Sequence, residues 1–311
     1  MTVALFTHPA CLLHDPGPGH PESPARLRAV LKALDAPEFA ALDRREAPLA
    51  SQAQIGRVHR LDYVAGIIAA DPPLGSHVSL DPDTHMSHGS AAAALRAAGG
   101  AIAAVDAVMD GSARHAFVAT RPPGHHAEAA KAMGFCLFNS VAVAAIHARD
   151  RWNLTRIAVV DIDVHHGNGT QAMFWSDPAL FYASSHQSPC YPGTGLLTDH
   201  GVANNIVNRP LRPGSGTVAF RTDWETILLD LEKFAPELVI CSAGFDAHHA
   251  DPLASLLLAE DDFAWAATRL AQASGGRLVS VLEGGYDLDA LAASVAAYIR
   301  ALLAEDAHHA P

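Results

Sequence analysis

The chain has 311 residues, of which 50% are hydrophobic and only 17% charged, with a formal net charge of −12. A chain this long with so few charges buries an extensive core, which excludes intrinsic disorder, a collagen-like repeat and a coiled coil. The acidic balance lacks the electrostatic footprint of a nucleic-acid binder and disfavours docking on anionic membranes. In chain order, the pattern predicts a strand at Val3–Phe6 and a helix at Ala25–Leu34 opened by Ser23-Pro24, with Ser23 as N-cap and proline at the first helical position. Ser51 with Gln54 predicts a capping box on a short helix. A long alanine-rich helix follows at Ser90–Met109, then a strand at Ala116–Ala119 and a helix at Val141–Arg149. Strands at Ile157–Val160 and Leu180–Ala183 precede a helix at Trp224–Phe234. A strand at Leu238–Ser242, a helix at Asp262–Ala273, a strand at Leu278–Leu282 and a helix at Leu288–Leu303 complete the set.

The strands are nearly continuously apolar, as expected when helices cover both faces of a sheet. Repeated strand–helix alternation predicts an α/β fold with a mainly parallel sheet flanked by helices. Nothing resembling a linker divides the chain, so one domain is expected over 1–311, with 304–311 as a polar tail containing the His308-His309 doublet. The run Ala91 to Val105, broken by Arg96 and Gly99-Gly100, reads as too polar to span a bilayer. Met1 to Asp15 has neither a basic start nor a long apolar stretch, so no signal peptide is expected. Cys11, Cys136, Cys190 and Cys241 are widely spaced and form no C-x-x-C pair, which predicts reduced thiols and a cytoplasmic protein.

In parallel sheets, ligands bind beyond the carboxyl ends of the strands. Five predicted strand ends here deliver chemistry-bearing residues: Arg121–His126, Asp161–Gly169, Ser184–His186 with Tyr191, Gly244–Pro252, and Glu283–Asp287. Asp163 and His165, two apart in extended chain, point to the same face and suit one ion. Asp251 is a third acidic candidate at another strand end. Three protein ligands with an open position make a catalytic zinc site, although nitrogen and oxygen donors also admit Fe(II) or Co(II).

Several segments carry a family resemblance. R-P-P-G-H-H at Arg121–His126, G-F-C-x-F-N at Gly134–Asn139, D-x-D-V-H-H-G-N-G-T-Q at Asp161–Gln171, G-F-D-A-x-x-x-D-P-L at Gly244–Leu253 and E-G-G-Y at Glu283–Tyr286 resemble the histone deacetylase family. With His20-Pro21-Glu22-Ser23-Pro24, they run in family order and most resemble the class II branch and its bacterial deacetylase-like amidohydrolases. The resemblance implies the arginase-deacetylase fold and a metal-dependent amidohydrolase acting on acyl-lysine in proteins or peptides. It further implies zinc ligands Asp163, His165 and Asp251, tandem active-site histidines His125 and His126, and the catalytic tyrosine Tyr286. The first histidine is expected to lean on Asp161 and the second on Asn168, making His125 the more cationic element and His126 the neutral general base. Tyr286 is expected to hold the oxyanion.

Asp161, Ser184 and backbone oxygens of Asp163 and His165 match the family's monovalent-cation site, usually potassium. Gly134, Phe135 and Tyr191 resemble walls of the acyl-lysine channel, while His166 and Asp246 are expected to be structural supports and His248 and His249 to face solvent or the rim. The segments Asp15–Pro24 and Asp71–His88 are placed at that rim. Leu253 stands where the family's polyamine-selective member has an acidic gatekeeper, which favours acyl-lysine over acetylpolyamines, the alternative substrates. A dimanganese ureohydrolase would need a further carboxylate where His166, Gly167 and Asn168 stand, and a non-catalytic acyl-lysine reader would have lost Tyr286 or ligands that are all present.

Overall fold

The computed structural model describes residues 3–308. In chain order the elements are β1 (Val3–Thr7), α1 (Pro24–Leu34), β2 (Asp43–Glu46), α2 (Gln52–Ile55), α3 (Leu61–Ala69), β3 (His77–Asp81), β4 (Thr84–Ser87), α4 (Ser90–Met109), β5 (His115–Val118) and α5 (Ser140–Trp152). There follow β6 (Ile157–Asp161), α6 (Asn168–Phe174), β7 (Leu180–Gln187), β8 (Ile206–Leu211), α7 (Thr217–Phe234), β9 (Leu238–Ala243), α8 (Glu260–Ala273), β10 (Leu278–Leu282) and α9 (Leu288–His308). Eight strands form one parallel sheet in the order β2-β1-β5-β10-β9-β6-β7-β8, while β3 and β4 make a separate antiparallel hairpin.

Alternation along each central strand explains the unbroken apolar runs. In β6, Ala158 and Val160 join a core under α1, α7, α8 and α9, whereas Ile157 and Val159 join one under α4 and α5. β9 repeats this with Val239 and Cys241 on the first face and Leu238 and Ile240 on the second. Both faces are dry, so both phases of the two-residue period must be apolar. Trp224, fully buried on α7, satisfies its indole N–H by donating to Ser185 Oγ at 2.7 Å.

All six expected strands and the expected parallel α/β architecture are present. Ser51 and Gln54 form the expected capping box; Ser23 is the N-cap of α1 with Pro24 following, but its side chain makes no capping bond. Strands β2 and β8 and the β3–β4 hairpin were not expected: β2 is Asp-Arg-Arg-Glu and β8 contains Pro210, sequences tolerated at sheet edges. β7 runs to Gln187, so Ser184, Ser185 and His186 lie within the strand, not beyond it. α9 continues through His308, which replaces most of the expected tail; the remainder of that tail, including His309, lies outside the described residues.

By length and composition α4 qualifies as a membrane span, contrary to the reading of Ala91 to Val105 as too polar. Its apolar character has another cause: it is largely buried, and its small residues let the chain at 47–50 cross it closely, with Ala50 N donating to Leu95 O at 2.9 Å. A Cβ on Gly99 would penetrate the Pro48 carbonyl and lie 2.6 Å from Ala50 N, whereas one on Gly66 in α3 would meet nothing within 4 Å. The same substitution therefore has opposite signs at the two sites. Gly66→Ala should stabilise by about 1 kcal/mol, a rise of about 2 °C in Tm. Gly99→Ala should destabilise by roughly 1–3 kcal/mol, because overpacking against backbone exceeds the gain in helix propensity. Thermal unfolding of both variants checks the pair.

Candidate active site and metal centre

The site lies at the carboxyl ends of β5, β6, β9 and β10. Asp161 ends β6 and pairs in register with Ser184 of β7 and Ser242 of β9. The chain beyond β6 turns tightly, with Asp163 N donating to Asp161 Oδ1 at 3.1 Å and His165 N to Asp163 Oδ1 at 2.8 Å. This brings His165 Nδ1 to 3.1 Å from both Asp163 Oδ1 and Asp246 Oδ2. Among the described residues, Asp163, His165 and Asp246 form the one group of three or more such side chains whose ligand atoms converge within 4.8 Å.

Asp246, expected to be a structural support, is the third member of this group, and Asp251, the third ligand that the family motif implies, lies outside it. Asp246 leaves β9 three residues after Ala243, close to the neighbouring end of β6, and its other oxygen accepts from Val164 N at 2.8 Å. Asp251 lies farther along the same loop, where Oδ1 accepts from Leu253 N at 3.0 Å and Oδ2 from Tyr286 N at 2.7 Å; Asp163 likewise accepts backbone N–H groups on both oxygens, and such bonds leave a carboxylate lone pairs for a metal. Asp251 holds the turn that carries Tyr286 and lies near enough to Asp246 for its charge to raise that carboxyl.

The three donors fit a divalent cation. Both carboxylates are about 1% exposed, and their combined charge with a neutral imidazole matches a dication. Burial, reinforced by the charge on Asp163, pushes Asp246 up to about 7, which marks a place short of positive charge. Burial would also raise Asp163, but His125 and His165 hold it below the usual carboxylate range. Gly284 makes the close packing possible, since a Cβ there would collide with the Asp246 carboxylate and approach Asp163 Oδ2 to 2.6 Å; instead Gly284 N donates to Asp163 Oδ2 at 2.8 Å.

The two histidines after β5 have the distinct partners expected of them. His125 Nδ1 donates to Asp161 Oδ2 at 3.0 Å, and His126 Nδ1 donates to Asn168 Oδ1 at 2.9 Å. Burial alone would lower His125, but the Asp161 and Asp163 carboxylates overcome it and raise the imidazole to about 10. His126 goes the other way: burial, then the neighbouring imidazoles of His125 and His165, push it well below its ordinary value. The backbone carrying the pair is clamped by buried Glu283, whose Oε2 accepts from Gly124 N at 2.6 Å and His125 N at 3.2 Å.

Tyr286 follows β10. Burial raises its phenol well above the usual value, so it is a proton donor throughout the neutral range. The Arg26 guanidinium lies 4.8 Å from its ring centroid. Arg26 also donates to the carbonyls of Glu283 and Gly285 and, at 3.0 Å, to Glu22 Oε1. Glu22 in turn binds Arg121 through two hydrogen bonds. Sequence reasoning assigned no role to Arg26, Arg121 or Glu22.

His126, His165 and Tyr286 open into a cavity of about 280 Å³ lined further by Asp83, Gly134, Phe135, Cys190, Tyr191 and Leu253. All four expected channel residues, Gly134, Phe135, Tyr191 and Leu253, are therefore on its wall. Phe135 sits at φ 68°, a left-handed conformation rare outside glycine, anchored by its N–H donating to Thr84 Oγ1 at 3.0 Å. The expected rim segments meet there: His20 Nε2 lies 3.1 Å from Asp83 O, and its ring packs edge-on to Phe135 with centroids 4.7 Å apart. Asp83 and Cys190 are lining residues that the sequence reading missed. His166 is a support, engaged by Thr194 Oγ1 and Gln171 Oε1; His248 is buried, contrary to expectation, while His249 is exposed. Buried Asp161 and Ser184 lie side by side across β6 and β7, with Ser184 Oγ 3.0 Å from His186 Nδ1.

Residues 20–302 match the family model described as the histone deacetylase domain. The chain is 40% identical over 312 residues to histone deacetylase 14, chloroplastic, of Arabidopsis thaliana, covering 92% of this chain and 74% of that protein. It is 39% identical over 312 residues to the histone deacetylase-like amidohydrolase of Pseudomonas aeruginosa, covering 91% and 81%. The crystal structure of the HDA15 HD domain superposes with a TM-score of 0.93 at 32% identity, over 97% of this chain and 88% of that one. The shared fold is that of the deacetylases.

Which carboxylates grip the metal is open to direct measurement. Asp251→Ala is expected to abolish stoichiometric retention of zinc after dialysis, measured by elemental analysis. Full retention there, with loss in Asp246→Ala, would leave Asp163, His165 and Asp246 as the ligand set.

Proposed function

Because the chain belongs to the histone deacetylase family, and so is a hydrolase of deacetylase or amidohydrolase type, we propose that it removes acetyl or other short acyl groups from lysine side chains in peptides or proteins. The observation that carries this reading is the meeting, on one narrow cavity with aromatic walls, of His165 from the metal-donor group, a neutral histidine and a protonated tyrosine. Asp163 and His165 would hold zinc, with Asp251 as the third ligand that the family motif implies and Asp246 packed beside them; Fe(II) or Co(II) is compatible with the same donor types. When bound, such an ion supplies a Lewis acid that polarises the acyl carbonyl and acidifies water.

The chain's own groups divide the remaining work. Phe135 and Tyr191 flank the aliphatic stem of the substrate and exclude water from it. His126 carries its hydrogen on Nδ1, so Nε2 is free to take a proton from the attacking water and return it to the leaving amine. His125, held cationic by Asp161, offsets negative charge that develops nearby. The Tyr286 hydroxyl donates to the carbonyl oxygen as it becomes an oxyanion. Asp161 and Ser184 would hold a monovalent cation, their oxygens suiting potassium. Four free thiols support a reducing, cytoplasmic setting.

Asp83 on the channel wall keeps the second reading, acetylpolyamine hydrolysis, in play, because a carboxylate there would suit a substrate ammonium; Leu253 opposes it by presenting an apolar group. An assay on an acetyl-lysine peptide, acetylputrescine and acetylspermidine separates them. The peptide is expected to have the highest kcat/KM, and a reversed order would establish the polyamine reading. Tyr286→Phe should lower kcat by roughly 10²–10³-fold, the effect of removing one oxyanion donor, and a chelator should abolish turnover until metal is restored.

A further inference from the structure

We propose that Glu128 is a positioning residue for His126, acting through Asn168, so that proton transfer depends on a chain of three side chains. The inference rests on the reading of His126 as the proton carrier. Asn168 opens α6 and is 7% exposed. Its Oδ1 lies 2.9 Å from His126 Nδ1, and an amide oxygen only accepts. The hydrogen of a neutral imidazole is thereby fixed on Nδ1 and the lone pair on Nε2.

An amide partner introduces an ambiguity that a carboxylate does not. Turned by 180°, Asn168 would offer its NH₂ to the ring, moving the imidazole hydrogen to Nε2 and leaving no lone pair there for a proton. His125 has no such difficulty, because both oxygens of its partner Asp161 are acceptors. Three acceptors surround Asn168 Nδ2: Glu128 Oε1 at 2.8 Å, His126 O at 3.4 Å and Met133 Sδ at 3.5 Å. The last two are long or weak, and Glu128 makes the short bond. The turned amide would instead press its oxygen against the Glu128 carboxylate.

Glu128 is itself held in place. Its backbone N–H donates to Lys131 O at 3.0 Å, and its carbonyl accepts from His59 Nδ1 at 2.9 Å. His59 is buried and kept neutral by that burial, with Nε2 accepting from Asn139 N at 2.9 Å. The Glu128 side chain reaches Asn168 along a second cavity of about 440 Å³, lined also by Trp175 and Thr194.

The test is a cycle of variants in the metal-loaded enzyme. Glu128→Ala should lower kcat about tenfold with KM little changed, the scale of one hydrogen bond to a charged acceptor. Glu128→Gln, which keeps an oxygen for Asn168 Nδ2, should restore most of the loss. In an Asn168→Asp background the partner of His126 has no wrong orientation and would be repelled by Glu128, so Glu128→Ala should there cost less than twofold or be a gain. An equal loss in both backgrounds would mark Glu128 as merely structural and overturn the proposal. Nitrogen-15 spectra of the His126 ring give a readout independent of turnover. A hydrogen on Nδ1 in the parent, with Nε2–H appearing in Glu128→Ala, supports it, and an unchanged ring overturns it. Full activity in His126→Ala would instead refute the proton-carrier reading, an outcome distinct from either.

Discussion

Four carboxylates are buried at one edge of the sheet, and the rest of the site is arranged around the cost of keeping them there. Asp161, Asp163, Asp246 and Glu283 are each at most 1% exposed. An ionised carboxylate removed from water without partners costs several kcal/mol. Each is answered differently: Glu283 by the N–H groups of Gly124 and His125, Asp161 by His125 and the Tyr182 hydroxyl, Asp163 and Asp246 by a shared imidazole. These partners include the loop backbones and rings to which the proposed chemistry is assigned, so satisfying the carboxylates and arranging that site are one operation. His165 alone does not balance two acids, which suits the group to the dication proposed above.

Glu22 supplies the complementary arrangement, one acid among several cations. Its carboxylate is fully buried against Arg121, Arg26 and His14. Arg121 opens the segment that ends in His125 and His126, and it also ties down the carbonyls of Cys11 and His14 at 3.0 Å. Arg26 grips the turn bearing Tyr286. One side chain from the segment just before α1 thus couples the histidines to the tyrosine, although these leave different strands.

What could be read without coordinates was whatever has a local physical cause. Strands with two dry faces announce themselves by unbroken apolar runs, and Ser51–Gln54 announces its capping box. The edge strands lack that signal because water or loops cover one side, so β2 reads as charged loop. The same limit governed the site. Asp163 and His165 are legible as a pair two residues apart, and Tyr286 by its motif. That Asp246 also stands against this pair depends on how sharply the chain turns after β9. Glu128 was invisible because its importance lies in the orientation of an amide 40 residues away, which no spacing encodes.

The strand order has a further consequence for how the molecule comes into being. β10 lies between β5 and β9, so before residues 278–282 are in place the sheet exists only as two separate slabs, β2-β1-β5 and β9-β6-β7-β8. One slab carries the histidine pair and the other the metal donors. During synthesis these must wait for residues 278–282 to emerge, and β10 is the keystone that brings them face to face.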